Sequence, residues 1–373
     1  MITNGKVFDR SFDVVVVGGG SAGCVVASRL SEDPDTSVCL LEAGGVDRSI
    51  WFRIPIGFGK TVPNPAYGWG FQTEPEPELL GRAIKFARGK VLGGSGSING
   101  LVFLRGSPDD YDNWEREGAR NWSYRDVLPY FKKMESAIAG ADEYRGRNGP
   151  ITVTVNSRPS SSAKAFVEGC ESLQFSRNQD FNGERLDGVG FVPINVKGRW
   201  RHSTALAYLK PSLKRDNLSL LSKTTVTRLI FEGRRAVGLE TVSEGKKIRI
   251  GARKELVLSG GAVNLPALLL ASGIGPADEL SALSLDVLHH LPGVGKNLQD
   301  YLHAGLVFKT RAHDSINLAL TSRIKSLRML AEWLFLKSGP VAGGAVDAAL
   351  FAESEAGLPE PDLHFSLMNF FPS

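Results

Sequence analysis

Residues 12–45 read FDVVVVGGGSAGCVVASRLSEDPDTSVCLLEAGG. Phe12 to Val17 is an apolar run too continuous for a half-exposed strand, which predicts a strand buried on both faces of a parallel sheet. Gly18, Gly20 and Gly23 follow at once in G-x-G-x-x-G spacing. The first glycine permits a tight turn, the second lets a pyrophosphate approach the backbone, and the third lets a helix pack on the sheet. That helix is expected from Ser21 to about Leu30, with a second strand over Ser37 to Leu41 ending in Glu42. A carboxylate about 20 residues past the last glycine accepts hydrogen bonds from ribose hydroxyls, and its charge disfavours a 2′-phosphate. The whole order is that of a dinucleotide site, with the helix N-terminus facing the phosphates. It does not separate FAD from NAD.

Composition narrows the class. The chain has 373 residues, 42% of them hydrophobic, and a net charge of +4, enough for two core-bearing units. Its 44 Lys and Arg are interspersed with 40 Asp and Glu, and with no basic block or aromatic-basic module no nucleic-acid partner is expected. Cys24, Cys39 and Cys170 have no metal or redox spacing and are expected as reduced core residues. Met1 to Arg10 is polar, so a cytoplasmic protein without a signal peptide is expected, and no apolar run reaches the ~18 residues of a transmembrane segment. Ile324, Leu327, Leu330 and Trp333 or Leu334 make a helical stripe between Arg323, Lys325, Arg328 and Lys337. Such a stripe is expected to face a core; peripheral attachment to a membrane is the lesser reading.

A second glycine-rich segment runs R-G-K-V-L-G-G-S-G-S-I-N from Arg88 to Asn99, bracketed by Phe86 and Leu101 to Leu104. Its glycine density predicts a loop whose backbone comes close to something flat or phosphorylated. Here the chain resembles the glucose-methanol-choline family of flavin oxidoreductases, whose first signature is similar to Gly89–Asn99 followed by Phe103, Gly106 and Asp112. The resemblance continues through Tyr111–Trp114, Asn121–Tyr124, Val127–Phe131, Asp180–Gly183 and Tyr208–Pro211. A second signature resembles Gly261–Pro266 through Ser272–Gly275, followed by Leu291–Asp300, so nearly all of residues 12 to 305 are covered. Leu265, Tyr301 and Gly96 depart from the pattern, the last in a way expected to loosen the loop. Ile98 offers no imidazole for a covalent flavin link, so FAD is expected to be held non-covalently.

The resemblance implies an α/β fold, a Rossmann-like FAD/NAD(P)-binding domain with an interleaved α+β substrate-binding domain on an antiparallel sheet. The expected boundaries are 1–155 and 222–308 for the FAD-binding domain, and 156–221 and 309–373 for the substrate-binding domain. Expected cofactor contacts are Gly18, Gly20, Ser21, Ala22, Gly23, Glu42, Ala43, Arg88, Gly89, Val91, Gly93, Gly94, Asn99, Gly100, Val226 and Asp300. The turn at Ser259-Gly260-Gly261, after a strand over Lys254 to Leu258 and before a helix over Ala267 to Leu270, also suits close cofactor approach.

The implied reaction is FAD-dependent oxidation of the CH–OH group of an alcohol or polyol, with hydride passing to flavin N5. A small-molecule alcohol and an electron acceptor (oxygen, a quinone or a soluble carrier) are the expected partners. Family members carry a catalytic His, and a second His or Asn, well beyond the second signature. The last histidine here is His364, in a strand-like segment, and Asn369 to Ser373 closes the sequence without a turn or charged tail. A C-terminally truncated member is therefore expected, and an FAD-binding but catalytically incomplete chain is the alternative. His202 is the remaining candidate base, but a structural role is expected of it, so no catalytic residue is assigned. His289 and His290 lack a third ligand at metal spacing. An NAD-linked dehydrogenase is disfavoured because it has no need of the second glycine loop.

Overall fold

The computed structural model describes residues 2–3, 6–310, 315–317 and 322–370. The chain divides into two compact units, Met1–Arg48 with Val62–Ile98 and Ser203–Ala304, and Ser49–Thr61 with Asn99–His202 and Gly305–Ser373.

The first unit contains the βαβ order read from residues 12–45, as strand Arg10–Val17, helix Ser21–Leu30 and strand Val38–Leu41. A six-stranded sheet runs in the order Leu218–Leu221, Val38–Leu41, Arg10–Val17, Lys246–Leu258, Arg235–Ser243, Thr224–Glu232. Its first four strands are parallel, with Val14 opposite Val38 and Val17 opposite both Leu41 and Leu258. The last three form an antiparallel meander, so Lys246–Leu258 serves both halves, and its register slips between Ala252 and Glu255 where it passes from one partner to the other. Alternation of side chains explains the apolar run. Val14 and Val16 pack with Cys24 and Ala27 of helix Ser21–Leu30, while Val15 and Val17 pack with Leu239 and Ile250 on the other face, against which Leu268 and Leu269 rest. Both faces are covered, as a parallel sheet requires. Truncating a fully buried member such as Leu40 to Ala should cost roughly 2–5 kcal/mol.

The helix expected over Ala267–Leu270 begins earlier and spans Gly261–Ala271, because the Ser259–Gly260 turn leads directly into it. Pro266 lies within it, filling an interior position that sequence rules assign to a break.

In the second unit, Leu363–Leu367, Ala348–Ala352 and Gly188–Phe191 form an antiparallel sheet. Ala163, Val167 and Cys170 of helix Ser161–Ser172 cover it, meeting Val189, Ala348 and Leu350. A smaller sheet joins Pro193–Ile194, Ile151–Val155 and Glu135–Ala137. Glu135 is fully buried and is held by Arg105 at 2.7 Å and Arg145 at 2.8 Å, so its charge is compensated where it lies. The unit boundaries differ from the expected domain boundaries for a topological reason. Ile151–Val155 pairs with neighbours inside the second unit, which takes residues 99–155 with it, and Leu218–Leu221 pairs with Val38–Leu41, which places residues 203–221 in the first.

The stripe near the C-terminal end corrects the expectation of a core-facing helix. Arg323–Ala331 is helical and widens into a π-turn over Glu332–Leu336. Ile324, Leu327 and Leu330 are 80%, 66% and 42% exposed, while Trp333 alone is buried. Trp333 anchors the segment, its indole N–H donating to the Arg199 carbonyl at 3.0 Å and its ring meeting Trp200 edge-on at 5.0 Å. Among the described residues, no helix is long and apolar enough to cross a membrane.

Candidate cofactor site

The two glycine-rich segments meet in the first unit. The Gly93 N–H donates to the Gly19 carbonyl at 2.7 Å, and a Cβ added at Gly94 would come within 2.9 Å of the Gly20 Cα. Leu92 N–H donates to the Gly45 carbonyl at 2.9 Å, and Val91 bridges Gly45. The Arg88–Asn99 loop is thus laced to the turns at both ends of the βαβ unit. A Cβ at Gly96 would press on the Ser21 hydroxyl, so the missing side chain makes room for Ser21.

Beside this junction lies a cavity of about 510 Å³, within the usual range for small-ligand sites of ~300–1,000 Å³. Of the expected contacts, Gly18, Gly20, Ser21, Ala22, Glu42, Ala43, Arg88, Gly89, Gly94 and Val226 line it. So do Ser259, Gly260 and Gly261 of the second turn. Gly23, Val91 and Gly93 do not line it but build it. Gly23 lets the helix rest on the Gly18 carbonyl, where a Cβ would collide, and Val91 and Gly93 hold the loop junction. Asn99 and Gly100 belong to the second unit. There Asn99 accepts from Arg201 at 2.7 Å through its side chain and at 2.6 Å through its carbonyl, and Gly100 accepts from the Ala345 N–H at 2.9 Å. Asp300 is exposed and accepts from the Tyr301 N–H at 3.0 Å, outside the cavity lining. Trp69, Phe71, Thr224, Thr225 and Thr227 also line it and were not among the expected contacts.

Two helices aim their N-termini at this cavity. Ser21–Leu30 is preceded by Gly20 and Gly261–Ala271 by Gly260; neither cap position provides a side-chain hydrogen bond, and neither first turn carries an acid. Their leading N–H groups and the positive ends of their dipoles are thereby left for an anion. Gly20 sharpens the fit. A Cβ built there meets no protein atom within 4 Å, so the fold itself leaves room for a side chain at this position. A cavity with two such helix ends, a carboxylate beyond them and an extended strand start matches a dinucleotide in charge and shape.

Glu42 sits 6% exposed at the end of its strand, its Oε2 accepting from the Gly19 N–H at 2.9 Å and its Oε1 from the Gly44 N–H at 2.7 Å. Burial raises its carboxyl to about 7, against the opposing pull of those hydrogen bonds and of the Lys90 charge. Each oxygen retains a second lone pair for a ribose hydroxyl.

His202 takes the structural role. Its Nδ1 accepts from the Thr152 N–H at 3.1 Å, its backbone N–H donates to the Asn195 carbonyl at 2.8 Å, and burial, with the nearby Lys197 charge, lowers its pKa to about 4. It is a neutral acceptor locked into backbone. His290 likewise accepts from the Ala277 N–H at 3.1 Å. Cys24, Cys39 and Cys170 are free and buried, as expected of core residues.

The GMC oxidoreductase family model matches residues 12–303. The oxygen-dependent choline dehydrogenase of Brucella anthropi is 40% identical over 360 residues, covering 95% of this chain and 64% of the relative. The mitochondrial choline dehydrogenase of Homo sapiens is 41% identical over 372 residues, covering 97% of this chain and 61% of the relative. The crystal structure of pyridoxine 4-oxidase from Mesorbium loti superposes with a TM-score of 0.85 at 31% identity, over 96% of this chain and 66% of that one. The chain thus spans less than two thirds of the length of the curated relatives it matches.

Proposed function

This chain belongs to the GMC oxidoreductase family, and from that premise we propose that it holds FAD non-covalently in the glycine-lined cavity and oxidises the CH–OH group of an alcohol. The observation that carries the reading is the convergence of two uncapped helix N-termini on a cavity floored by Gly20. When bound, FAD supplies the acceptor for the hydride that leaves the substrate carbon. The chain's own residues hold it. The N–H groups following Gly20 and Gly260 take the pyrophosphate, Glu42 takes ribose hydroxyls, and the extended backbone at Thr224–Val226 takes the adenine. Ile98, buried within the second glycine loop, offers no nucleophile to the flavin ring.

An alcohol is the proposed substrate, and choline heads the test panel because two relatives carry that name. Oxygen, a quinone and a soluble carrier are the candidate acceptors. We place the chain in the cytoplasm, with the exposed Ile324, Leu327 and Leu330 stripe, flanked by Arg323, Lys325 and Arg328, as the face that would meet a membrane surface. Anaerobic addition of each alcohol to the FAD-loaded chain tests the activity. Bleaching of the flavin bands supports alcohol oxidation; a spectrum unmoved by every alcohol assigns the chain to the catalytically incomplete alternative.

A further inference from the structure

One wall of the cavity is aromatic. Trp69 and Phe71 both line it, with ring centroids 5.9 Å apart and planes within 2° of parallel. Gly70 between them takes a φ of +71°, so it is this glycine turn at the start of strand Phe71–Gln72 that sets the two rings side by side on one wall. That segment is tied to the strand leading into the second glycine loop. Trp69 N–H donates to the Arg88 carbonyl at 3.1 Å, Lys90 N–H donates to the Tyr67 carbonyl at 2.8 Å, and Phe71 pairs with Phe86. The Lys90 ammonium lies 4.7 Å from the centre of the Trp69 ring, a cation–π contact that fixes the indole's orientation. Both rings are only half-buried. Two parallel rings oriented from outside and left half-exposed in a cavity wall are suited to a planar ligand.

We propose that Trp69, supported by Phe71 and oriented by Lys90, is a positioning residue on which a ring of the bound dinucleotide stacks. The proposal rests on the reading of the cavity as an FAD site. A base stacked on an aromatic side chain contributes enough that its loss weakens binding by roughly tenfold.

The test is FAD titration of the apoprotein, followed by quenching of flavin emission, for the parent chain, Trp69→Leu, Trp69→Phe and Phe71→Leu, with circular dichroism of each apoprotein. The expected result is a native spectrum for all four, roughly tenfold weaker binding by Trp69→Leu, and affinity within about threefold of the parent for Trp69→Phe, which keeps a stacking ring. Parent-like affinity in Trp69→Leu overturns the proposal while leaving the FAD site standing, as does equal weakening by the Leu and Phe variants. If Trp69→Leu does not fold, Phe71→Leu decides, since a lost wall weakens binding and an idle one does not. Failure of the parent chain to take up FAD overturns the cofactor reading itself, and the wall with it.

Discussion

Glu42 accepts the Gly19 N–H at 2.9 Å, so the acid that closes the βαβ unit is bound to the middle of the glycine turn that opens it. With Gly44 donating to the other oxygen at 2.7 Å, the carboxylate ties the strand end to two neighbouring turns before any ligand arrives.

This bridge predicts a pH dependence. The folded carboxyl titrates at about 7 against an ordinary 4.5, so folding favours the protonated form. A raised acid pKa contributes stability fully below 4.5 and loses it as pH climbs through 7, a difference of about 3 kcal/mol by the ~1.4 kcal/mol carried by each unit. Melting of the apoprotein between pH 5 and pH 8 should show this loss. Glu42→Gln should flatten the profile and cost about 1–3 kcal/mol at pH 5, because an amide NH2 cannot accept one of the two N–H groups.

Gly20 and Gly23 should respond in opposite ways to a side chain. Gly20→Val places its Cβ in the open cavity, so the apoprotein should melt like the parent while FAD retention is abolished. Gly23→Val drives its Cβ into the Gly18 carbonyl and should fail to fold or lose several kcal/mol. Thermal melts of both variants, with flavin content measured on the folded one, check the pair. Full flavin content in Gly20→Val contradicts the site.

His202→Ala should leave flavin content unchanged and destabilise the chain by about 1–3 kcal/mol, the result of leaving the half-buried Thr152 N–H without its acceptor. Because the folded imidazole is held near 4 rather than 6.5, its contribution is present above pH 6.5 and lost as pH falls toward 4. Acid unfolding curves of parent and variant should converge at the low end. Loss of flavin from a folded His202→Ala chain would assign this residue to the cofactor site.

The exposed stripe yields a surface prediction. Leu327→Glu alters a side chain that is 66% exposed and should change stability by no more than about 0.5 kcal/mol. Sedimentation with vesicles rich in anionic lipid should fall in the same variant. Equal sedimentation of parent and variant removes the stripe from the account.

Local order made part of this molecule legible in its sequence. The strand, turn, helix, strand and acid of residues 12–45 are set by near-neighbour spacing, and helix Ser21–Leu30 spans the residues that spacing assigns. The second glycine loop was readable for the same reason. What escaped depends on contacts between distant residues. Trp69 and Phe71 carried a signal, two aromatics alternating between glycines at Gly68 and Gly70, but their place in the cavity follows from pairing with Lys85–Phe86 and Arg88. Glu135 looked like any surface acid until Arg105 and Arg145 closed over it from 30 and 10 residues away. Periodicity in Arg323–Ala331 showed an apolar face without showing what it meets, and the placing of residues 99–155 in the second unit follows strand partners that no local pattern names.

FAD binding in the cavity where the helices following Gly20 and Gly260 begin is tested most directly by the visible absorption spectrum of the chain after incubation with FAD and removal of the free cofactor. The two visible bands of oxidised flavin are expected in the parent chain and are expected to be absent from a folded Gly20→Val variant. A colourless parent chain, or a variant as yellow as the parent, contradicts it.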